Sequence, residues 1–311
     1  MATGLTAMKI IPDNTHSAPA TTERTVHTIL NPSNSSMGRM ELKNILQGNH
    51  QNYVSPFFLM DEFGPMHLSK GTPFRVDAHP HAGIIPTTYL FKGNAHHRDS
   101  MGNDFQYNEG DFIQFTSGKG ALHMEETGDE LYTNGGVFHG IQSWLNIPPT
   151  LKKSEPSASH LAKSEIRILE KEHATIRVIL GEVFGVKSNL QLLMPVIYWH
   201  ISLKANTSLE LPVDPAMNAF VYVAEGVLEV NGSRTATKSQ TILYERNGST
   251  LTVKANEAAE FLVLGGQVNN EPYVANGPFV VNTEEELNQA YFDFQQGKFG
   301  DLNQTNGVKR R

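Results

Sequence analysis

Two short motifs in this sequence could bind a metal ion together. His79-Pro80-His81 places two imidazoles at positions i and i+2, and His123-Met124-Glu125 repeats that spacing with a carboxylate as its second member. Residues i and i+2 of an extended strand point to the same face, so each pair could hold one ion. Two such pairs on neighbouring strands would supply three nitrogens and one oxygen, a set that suits Fe, Mn, Ni, Co, Cu or Zn. These residues therefore predict a transition-metal site.

The other histidines near these motifs are weaker candidates. Six of the 13 histidines fall between residues 79 and 139. His96 and His97 are adjacent, and neighbours on a strand face opposite ways, so at most one of them should point inward. His139, beside a glycine, could line the mouth of the site. His200 lies in a strongly apolar strand, where we expect a structural role.

The composition limits the chemistry that the chain can perform. It contains no Cys, which excludes disulfides, thiol nucleophiles, iron-sulfur clusters and Cys-ligated zinc, so any metal must be bound by His and carboxylates. Charged residues make up 18% of the chain and the net charge is -7, which argues against nucleic acid as a partner. No stretch has the length of a membrane helix, and the first residues lack a signal peptide. We expect a cytoplasmic protein, or a nuclear one if its source is eukaryotic.

Strand signals dominate the elements that must position these residues. Short runs rich in β-branched and aromatic residues, such as IIPTTYLFKG and EGDFIQFTSG, recur between Gly, Asn and Pro. The second half repeats this pattern of β-branched and aromatic residues in VIYWHISL and NAFVYVAEG. TTYLFKG, ending at Gly93, and FVYVAEG, ending at Gly226, are both hydrophobic strands closed by a turn, which suggests duplication of one β-domain. The pattern predicts an all-β protein with two barrels.

The polar stretch between the halves and the two ends of the chain suggest domain boundaries. We predict a flexible N-terminal segment at 1–22, a metal-binding domain at 23–150, a linker at 151–170, a metal-free domain at 171–280, a C-terminal helix at 281–300 and a tail at 301–311. In the predicted helix, Thr283 and Glu286 form a capping-box pattern. The apolar face of this amphipathic helix should dock on a barrel and consists of Leu287, Ala290, Tyr291 and Phe294.

Several ordered blocks of the sequence resemble the pirin family of the cupin superfamily. They are SPFFLMDEFGP, HPHAG, HRDSMGN, EGDFIQFTSGKGALHMEE, HGIQSWLN and GPFVVNTEEELNQAYFDFQQGKFG. The resemblance runs from about Thr22 to Phe299 and implies two cupin (jelly-roll) barrels in one chain, with metal in the first barrel only. It carries the roles of metal ligands onto His79, His81, His123 and Glu125.

The sequence departs from the family pattern at two points. The usual cupin Glu shortly after H-x-H is absent, so Glu125 must be the carboxylate ligand, as in pirins. Many pirins also have Arg where this chain has Ala82, and the loss of a cation would alter the field at the metal. In the second barrel, aligning Gly226 with Gly93 places Pro212 and Asp214 opposite the two histidines of the first motif, so this barrel should be metal-free.

Three functions are compatible with the resemblance. The first is a dioxygenase like the pirin quercetinases, in which a flavonol and O2 meet at one divalent metal and carbon monoxide is released. Fe(II) is our first choice, with Mn, Ni, Co, Cu or Zn as alternatives. Glu125 would then be both a ligand and the catalytic base for the flavonol hydroxyl. The second is a metal- or redox-responsive regulator that binds a protein partner, and the third is a metal-stabilised structural protein.

Overall fold

The structure is a computed structural model that describes residues 22–190 and 192–302. The predicted flexible segment at 1–22 and the tail at 301–311 lie almost entirely outside the described residues. Strands dominate the rest, and the described part contains no helix long and apolar enough to cross a membrane.

The strands of the first half and of the segment after it are β1 (Val26–Leu30), β2 (Ser33–Met37), β3 (Met40–Gln47), β4 (Phe57–Leu68), β5 (Arg75–His81), β6 (Ile84–Lys92), β7 (Asn94–Asp99), β8 (Asp104–Asn108), β9 (Phe112–Thr116), β10 (Ala121–Thr127), β11 (Gly136–Asn146) and β12 (Ser157–Leu161). The later strands are β13 (Arg167–Glu170), β14 (Ala174–Leu180), β15 (Glu182–Val183), β16 (Val186–Lys187), β17 (Val196–Leu203), β18 (Thr207–Pro212), β19 (Met217–Glu225), β20 (Val227–Val230), β21 (Arg234–Thr237), β22 (Thr241–Tyr244), β23 (Thr250–Ala255), β24 (Ala259–Gln267), β25 (Val274–Asn276) and β26 (Phe279–Val281). The helices are α1 (Gln51–Val54), α2 (Asp129–Asn134) and α3 (Glu284–Gln295), with 3₁₀ turns at Pro149–Leu151 and Lys163–Glu165.

The two halves of the chain have the same sheet topology. The first barrel consists of a seven-stranded sheet, β12-β9-β6-β11-β4-β3-β2, and a four-stranded sheet, β5-β10-β7-β8. The second barrel consists of β1-β22-β19-β24-β17-β14-β13 and β18-β23-β20-β21. Each strand of one barrel thus has a counterpart in the other, with β5 matching β18 and β10 matching β23. The prediction of an all-β protein with two cupin barrels and a C-terminal helix is confirmed.

The edges of the two large sheets depart from the predicted boundaries. β1 lies in the range assigned to the first domain, yet it pairs antiparallel with β22 of the second barrel. The range 151–170 contains two strands: β12 pairs with β9 of the first barrel and β13 pairs with β14 of the second. These are short, largely polar edge strands, which resemble loops in sequence because one side and one face of each meet solvent.

The large sheets of the two barrels pack against each other. Their shared core includes Phe57, Tyr89 and Phe112 from the first barrel with Tyr198 and Phe220 from the second. Phe57 and Phe220 meet edge to face at 5.3 Å between ring centroids, and Phe112 and Tyr198 at 5.5 Å. Because these rings are buried on both sides, the interface resembles a domain core and holds the barrels together.

A buried carboxylate also joins the barrels. Glu62 is fully buried and accepts hydrogen bonds from Lys43 Nζ at 2.8 Å, from His139 Nε2 at 2.8 Å and from Ser239 Oγ of the second barrel at 3.3 Å. Burial alone would raise the pKa of this carboxyl, but the His139 and Lys43 hydrogen bonds outweigh it and lower the pKa to about 2.

The C-terminal segment crosses back onto the first barrel. In α3, Thr283 caps the helix by accepting from Glu286 N at 3.2 Å, and Leu287 and Ala290 are buried. Phe299, 4% exposed, packs in the same cluster, and its ring lies where a Cβ on Gly120 would be, 2.1 Å from the ring atom Cε1. Gly120 has φ +132°, so only glycine fits this contact without strain.

The predicted apolar face of α3 is only partly covered. Tyr291 is half-buried, with its ring 4.8 Å from that of Phe279. Phe294 is 37% exposed, so the prediction that it is buried is wrong. Its ring contacts those of Phe279 and Phe299, at 6.4 and 5.9 Å between centroids, and the rest of its surface meets solvent.

Candidate metal centre

The two predicted motifs lie on paired strands. β5 and β10 are antiparallel neighbours, with His123 directly opposite His79 and Ala121 opposite His81. A bulge between His123 and Glu125 shifts the register, so that Glu125 faces Val76. Because side chains alternate along a strand, this pairing brings three imidazoles to one interior face of the first barrel.

The three imidazoles form a compact group. Ring centroids are 4.3 Å apart for His79 and His123, 5.0 Å for His79 and His81, and 5.0 Å for His81 and His123. One nitrogen from each ring lies within 4.8 Å of the other two. Both ring nitrogens of His81 and Nε2 of His123 are buried without a hydrogen-bond partner among the described residues. A metal ion would supply the missing partner, so the residues present fit a bound transition metal.

These histidines are held in the neutral form that binds metals. Burial lowers the pKa of His79, and burial together with the neighbouring imidazoles holds that of His81 well below its usual value. Burial also lowers the pKa of His123 to about 4, despite the nearby Glu125. A neutral imidazole keeps one lone pair, so all three side chains offer a ligand atom at physiological pH.

A backbone contact fixes the orientation of His79. Its Nδ1 is 2.8 Å from the carbonyl oxygen of Asp77, at the bulge in β5. Since a carbonyl can only accept, Nδ1 carries the proton and Nε2 keeps its lone pair. Such a contact is the usual way in which a protein orients a metal-binding histidine.

Glu125 adjoins this group but has its own partners. Its Oε1 lies 3.4 Å from His123 Nδ1 and 2.6 Å from His97 Nδ1, and its Oε2 accepts from Tyr107 Oη at 2.9 Å. Together, His97, His123 and Glu125 form a second group of three potential ligands that shares His123 with the first. Among the described residues these two are the only such groups. The structure thus brings together His79, His81 and His123, and places the carboxylate beside His123.

The contact between Glu125 and His97 is an ion pair. Burial would raise the pKa of the Glu125 carboxyl, but the His97 cation lowers it to about 2. Burial likewise opposes protonation of His97, but Glu125 and Asp99 raise its pKa to about 9. Asp99 Oδ2 is 3.2 Å from His97 Nε2 and completes a chain of three charged groups. Glu125 is therefore ionised, as both a ligand and a base must be.

The sequence pattern does not identify His97 and Tyr107 as partners of Glu125. The alternation rule correctly allowed one of the adjacent histidines to face inward, and it is His97, which is 1% exposed, whereas His96 contacts Asp104 at 2.5 Å nearer the surface. Tyr107 is 2% exposed on β8, next to β7. The only sequence signal for Tyr107 was its position in a period-2 strand, which does not reveal its contact with Glu125.

Aromatic rings enclose the histidines. Phe115 stacks on His123 with 4.5 Å between centroids and 9° between ring planes. Trp144 meets His81 edge to face at 5.0 Å, and its Nε1 has no hydrogen-bond partner among the described residues. These apolar walls account for the burial that lowers the histidine pKa values.

The remaining candidate histidines lie away from this centre. His139 bonds to Glu62 at the barrel interface. His200 has a structural position, with Nδ1 2.8 Å from Tyr89 Oη and Nε2 2.7 Å from Glu260 Oε2. Ala82 is buried against Phe279 of the C-terminal segment, so the space beside the His81 motif is filled by that segment.

Family comparisons match both barrels. The Pirin family model matches residues 39–145, and the model for the Pirin C-terminal cupin domain matches residues 198–300. A pirin-like protein of Solanum lycopersicum is 33% identical over 268 residues, which cover 85% of this chain and 86% of the relative. Human pirin is 31% identical over 270 residues, with coverages of 85% and 87%.

A solved structure agrees with this assignment. The crystal structure of quercetin 2,3-dioxygenase from Acinetobacter baumannii superposes with a TM-score of 0.86 at 29% identity, covering 90% of this chain and 100% of the other. Together with the matched topology and the position of the histidine group, these comparisons establish that the chain belongs to the pirin family.

Proposed function

We propose that this chain is a metal-dependent dioxygenase that cleaves flavonols such as quercetin with O2 and releases carbon monoxide. The observation that carries the proposal is the group of three neutral imidazoles, His79, His81 and His123, inside an aromatic-lined barrel. His81 and His123 are buried and have unpartnered nitrogens. The similarity to the Acinetobacter baumannii quercetin 2,3-dioxygenase supports the same activity here.

The reaction balances without a further co-reactant. Both atoms of O2 enter the ring-opened product, the carbon–carbon bonds on either side of the hydroxyl-bearing carbon break, and that carbon leaves as carbon monoxide. A divalent metal held by His79, His81, His123 and Glu125, with Fe(II) as first choice, would lower the pKa of the flavonol 3-hydroxyl and leave positions open for substrate.

The residues around the metal ligands have separable roles. Glu125 is ionised, and it would accept the proton of the 3-hydroxyl, whose pKa a bound metal would lower. His97 and Tyr107 each bind one oxygen of Glu125, at 2.6 and 2.9 Å, and act as positioning residues that fix the plane of the carboxylate. Phe115 and Trp144 exclude water from the histidine group and offer flat surfaces to an aromatic substrate.

Metal content is the first test. Full-length protein reconstituted without oxygen with Fe(II), and in parallel with Mn, Ni, Co, Cu or Zn, should bind close to one equivalent in elemental analysis. His81→Ala should lose the metal, because it removes one of the three imidazoles of the group. His173→Ala is the matched control, since His173 is half exposed in the second barrel, and it should keep the metal. Two equivalents in the wild type would contradict a single site.

Glu125→Gln tests the base. Gln keeps an oxygen of similar shape, so part of the metal should remain, but it cannot accept a proton, so turnover should fall by about 10² to 10⁴. Turnover is read as loss of the flavonol absorption band under air, with carbon monoxide evolved and no reaction under argon. A fully metallated wild type that leaves quercetin and related flavonols unchanged would refute the dioxygenase and leave the regulator that binds a protein partner as the leading alternative.

A further inference from the structure

An apolar cavity opens at one end of the second barrel. It has a volume of about 1110 Å³ and lies between the ends of β17, β18 and β19 and the segment that follows β16. We call it the second-barrel cavity. Its walls are mostly apolar and include Leu190, Leu192, Met194, Trp199, Val213 and Met217. A cavity of this size and lining can bury a drug-sized molecule.

The second-barrel cavity reaches the barrel interior. Val183, Ile197, Trp199 and Val213 line it and also belong to the main core cluster of this barrel. The cavity lies at the end of β18. The matching strand of the first barrel is β5, and its last residue is His81. The second barrel thus has its opening where the first has its histidine group, but this opening is lined by apolar residues.

A buried hydrogen-bond donor in the cavity wall lacks an acceptor. Trp199 is 1% exposed, and its Nε1 has no partner among the described residues. A buried N–H without an acceptor is costly, and most buried indoles have one. A ligand with an oxygen acceptor would satisfy it.

Few charged side chains line the cavity, namely Glu182, Lys187 and Asp214, and all three are exposed. At the rim, Lys187 Nζ lies 3.4 Å from Glu182 Oε2. On the other side, the Asp214 carboxylate accepts from Ala216 N at 2.8 Å, and the buried Arg24 donates from Nη2 to the Asp214 carbonyl at 2.7 Å. The remaining lining is mostly apolar, and burial of a charge against apolar walls is costly, so the expected ligand is uncharged.

Large apolar side chains remain exposed at the cavity mouth. Leu193 is 55% exposed and Phe184 is 42% exposed, and both line the cavity. Exposed apolar groups around an apolar cavity are typical of a binding site. We propose that the second-barrel cavity binds an uncharged, mostly apolar small molecule with an oxygen acceptor that pairs with Trp199 Nε1, independently of the metal centre in the first barrel.

Nile red, a neutral and flat dye with a carbonyl oxygen, is the probe for this proposal. Titrated into full-length protein, it should show saturable binding with one dye per chain by fluorescence. Leu193→Lys places a charge at the mouth at an exposed position and should weaken binding about tenfold. Ile168→Lys is the matched control, because Ile168 is 53% exposed in the same barrel but does not line the cavity, and it should bind as the wild type does.

The two tryptophans of the chain locate the dye. Trp199→Phe keeps an aromatic ring but removes the donor, so affinity should fall about fivefold. In Trp144→Phe, Trp199 is the only indole, and its emission should be quenched by bound dye.

Four outcomes would overturn the proposal. They are no saturable binding by the wild type, equal weakening by both lysine variants, quenching of Trp144 instead of Trp199, and binding that appears only after residues 1–21 are removed. The last outcome would assign the cavity to the N-terminal segment of this chain.

Discussion

Lys152 should make the stability of this protein depend on pH. Its side chain is 4% exposed, and Nζ donates to Gly83 O at 3.0 Å, Asn146 Oδ1 at 2.6 Å and Val280 O at 2.6 Å. No carboxylate lies within ion-pair distance of it among the described residues. Burial therefore lowers the pKa of Lys152 from 10.5 to about 7.

The unfolded chain binds this proton more tightly than the folded chain does. Folding stability should thus rise with pH above about 7 and level off near the ordinary lysine pKa of about 10.4. Each pH unit within that window corresponds to about 1.4 kcal/mol, so raising the pH from 6 to 9 should stabilise the wild type by about 2 to 3 kcal/mol relative to Lys152→Met.

Urea unfolding at several pH values between 6 and 9 measures this difference. Lys153→Met is the control, because the neighbouring Lys153 is 76% exposed and forms an ion pair with Glu286 at 2.9 Å. Its difference from the wild type should not change with pH in this range. Parallel pH profiles for the wild type and Lys152→Met would refute the assignment of a depressed pKa to the buried amine.

Three further outcomes follow from the buried contacts. The lowered pKa of Glu62 stabilises the folded chain above about pH 4.5, and about 3 kcal/mol of this stability should be lost as the pH falls towards about 2. In urea unfolding, Glu62→Gln should remove this acid dependence, whereas Glu41→Gln, at an exposed position, should not. Phe299→Ala should lower the free energy of unfolding by about 3 to 5 kcal/mol, and Phe292→Ala, at a 52% exposed position, by less than about 0.5 kcal/mol. A chain that ends at Asn282 should melt at a lower temperature than the full chain, and an unchanged melting temperature would show that α3 contributes nothing to stability.

The group of His79, His81 and His123 was predictable because its geometry is local. The period of two along a strand places His79 and His81 on one face, and the pairing of β5 with β10 then brings His123 opposite His79. Glu125 contacts His97 because the two residues are directly opposite each other where β10 pairs with β7. The period of the sequence does not show which strands pair or in which register, so the ion pair with His97 could not be predicted.

Contacts between residues that are distant in sequence could not be predicted from periodicity. Lys152 lies in a polar stretch whose composition predicts a linker. Its buried amine donates hydrogen bonds to carbonyl oxygens from three separate parts of the chain. Phe294 has the spacing of a buried residue, but the surface available for docking is smaller than the face of the helix. Periodicity shows which side of an element is apolar, and tertiary structure decides how much of that side is covered.

The pairing of β1 with β22 sets the order in which the molecule can be completed during synthesis. β1 leaves the ribosome about two hundred residues before its partner, which at about 5 to 20 residues per second is a wait of about 10 to 40 seconds. During that time the first barrel can fold, while β1 remains an unpaired strand. The other strands of the second barrel are made later than β1, and β1 covers the edge of β22, so removal of β1 would leave that sheet edge open.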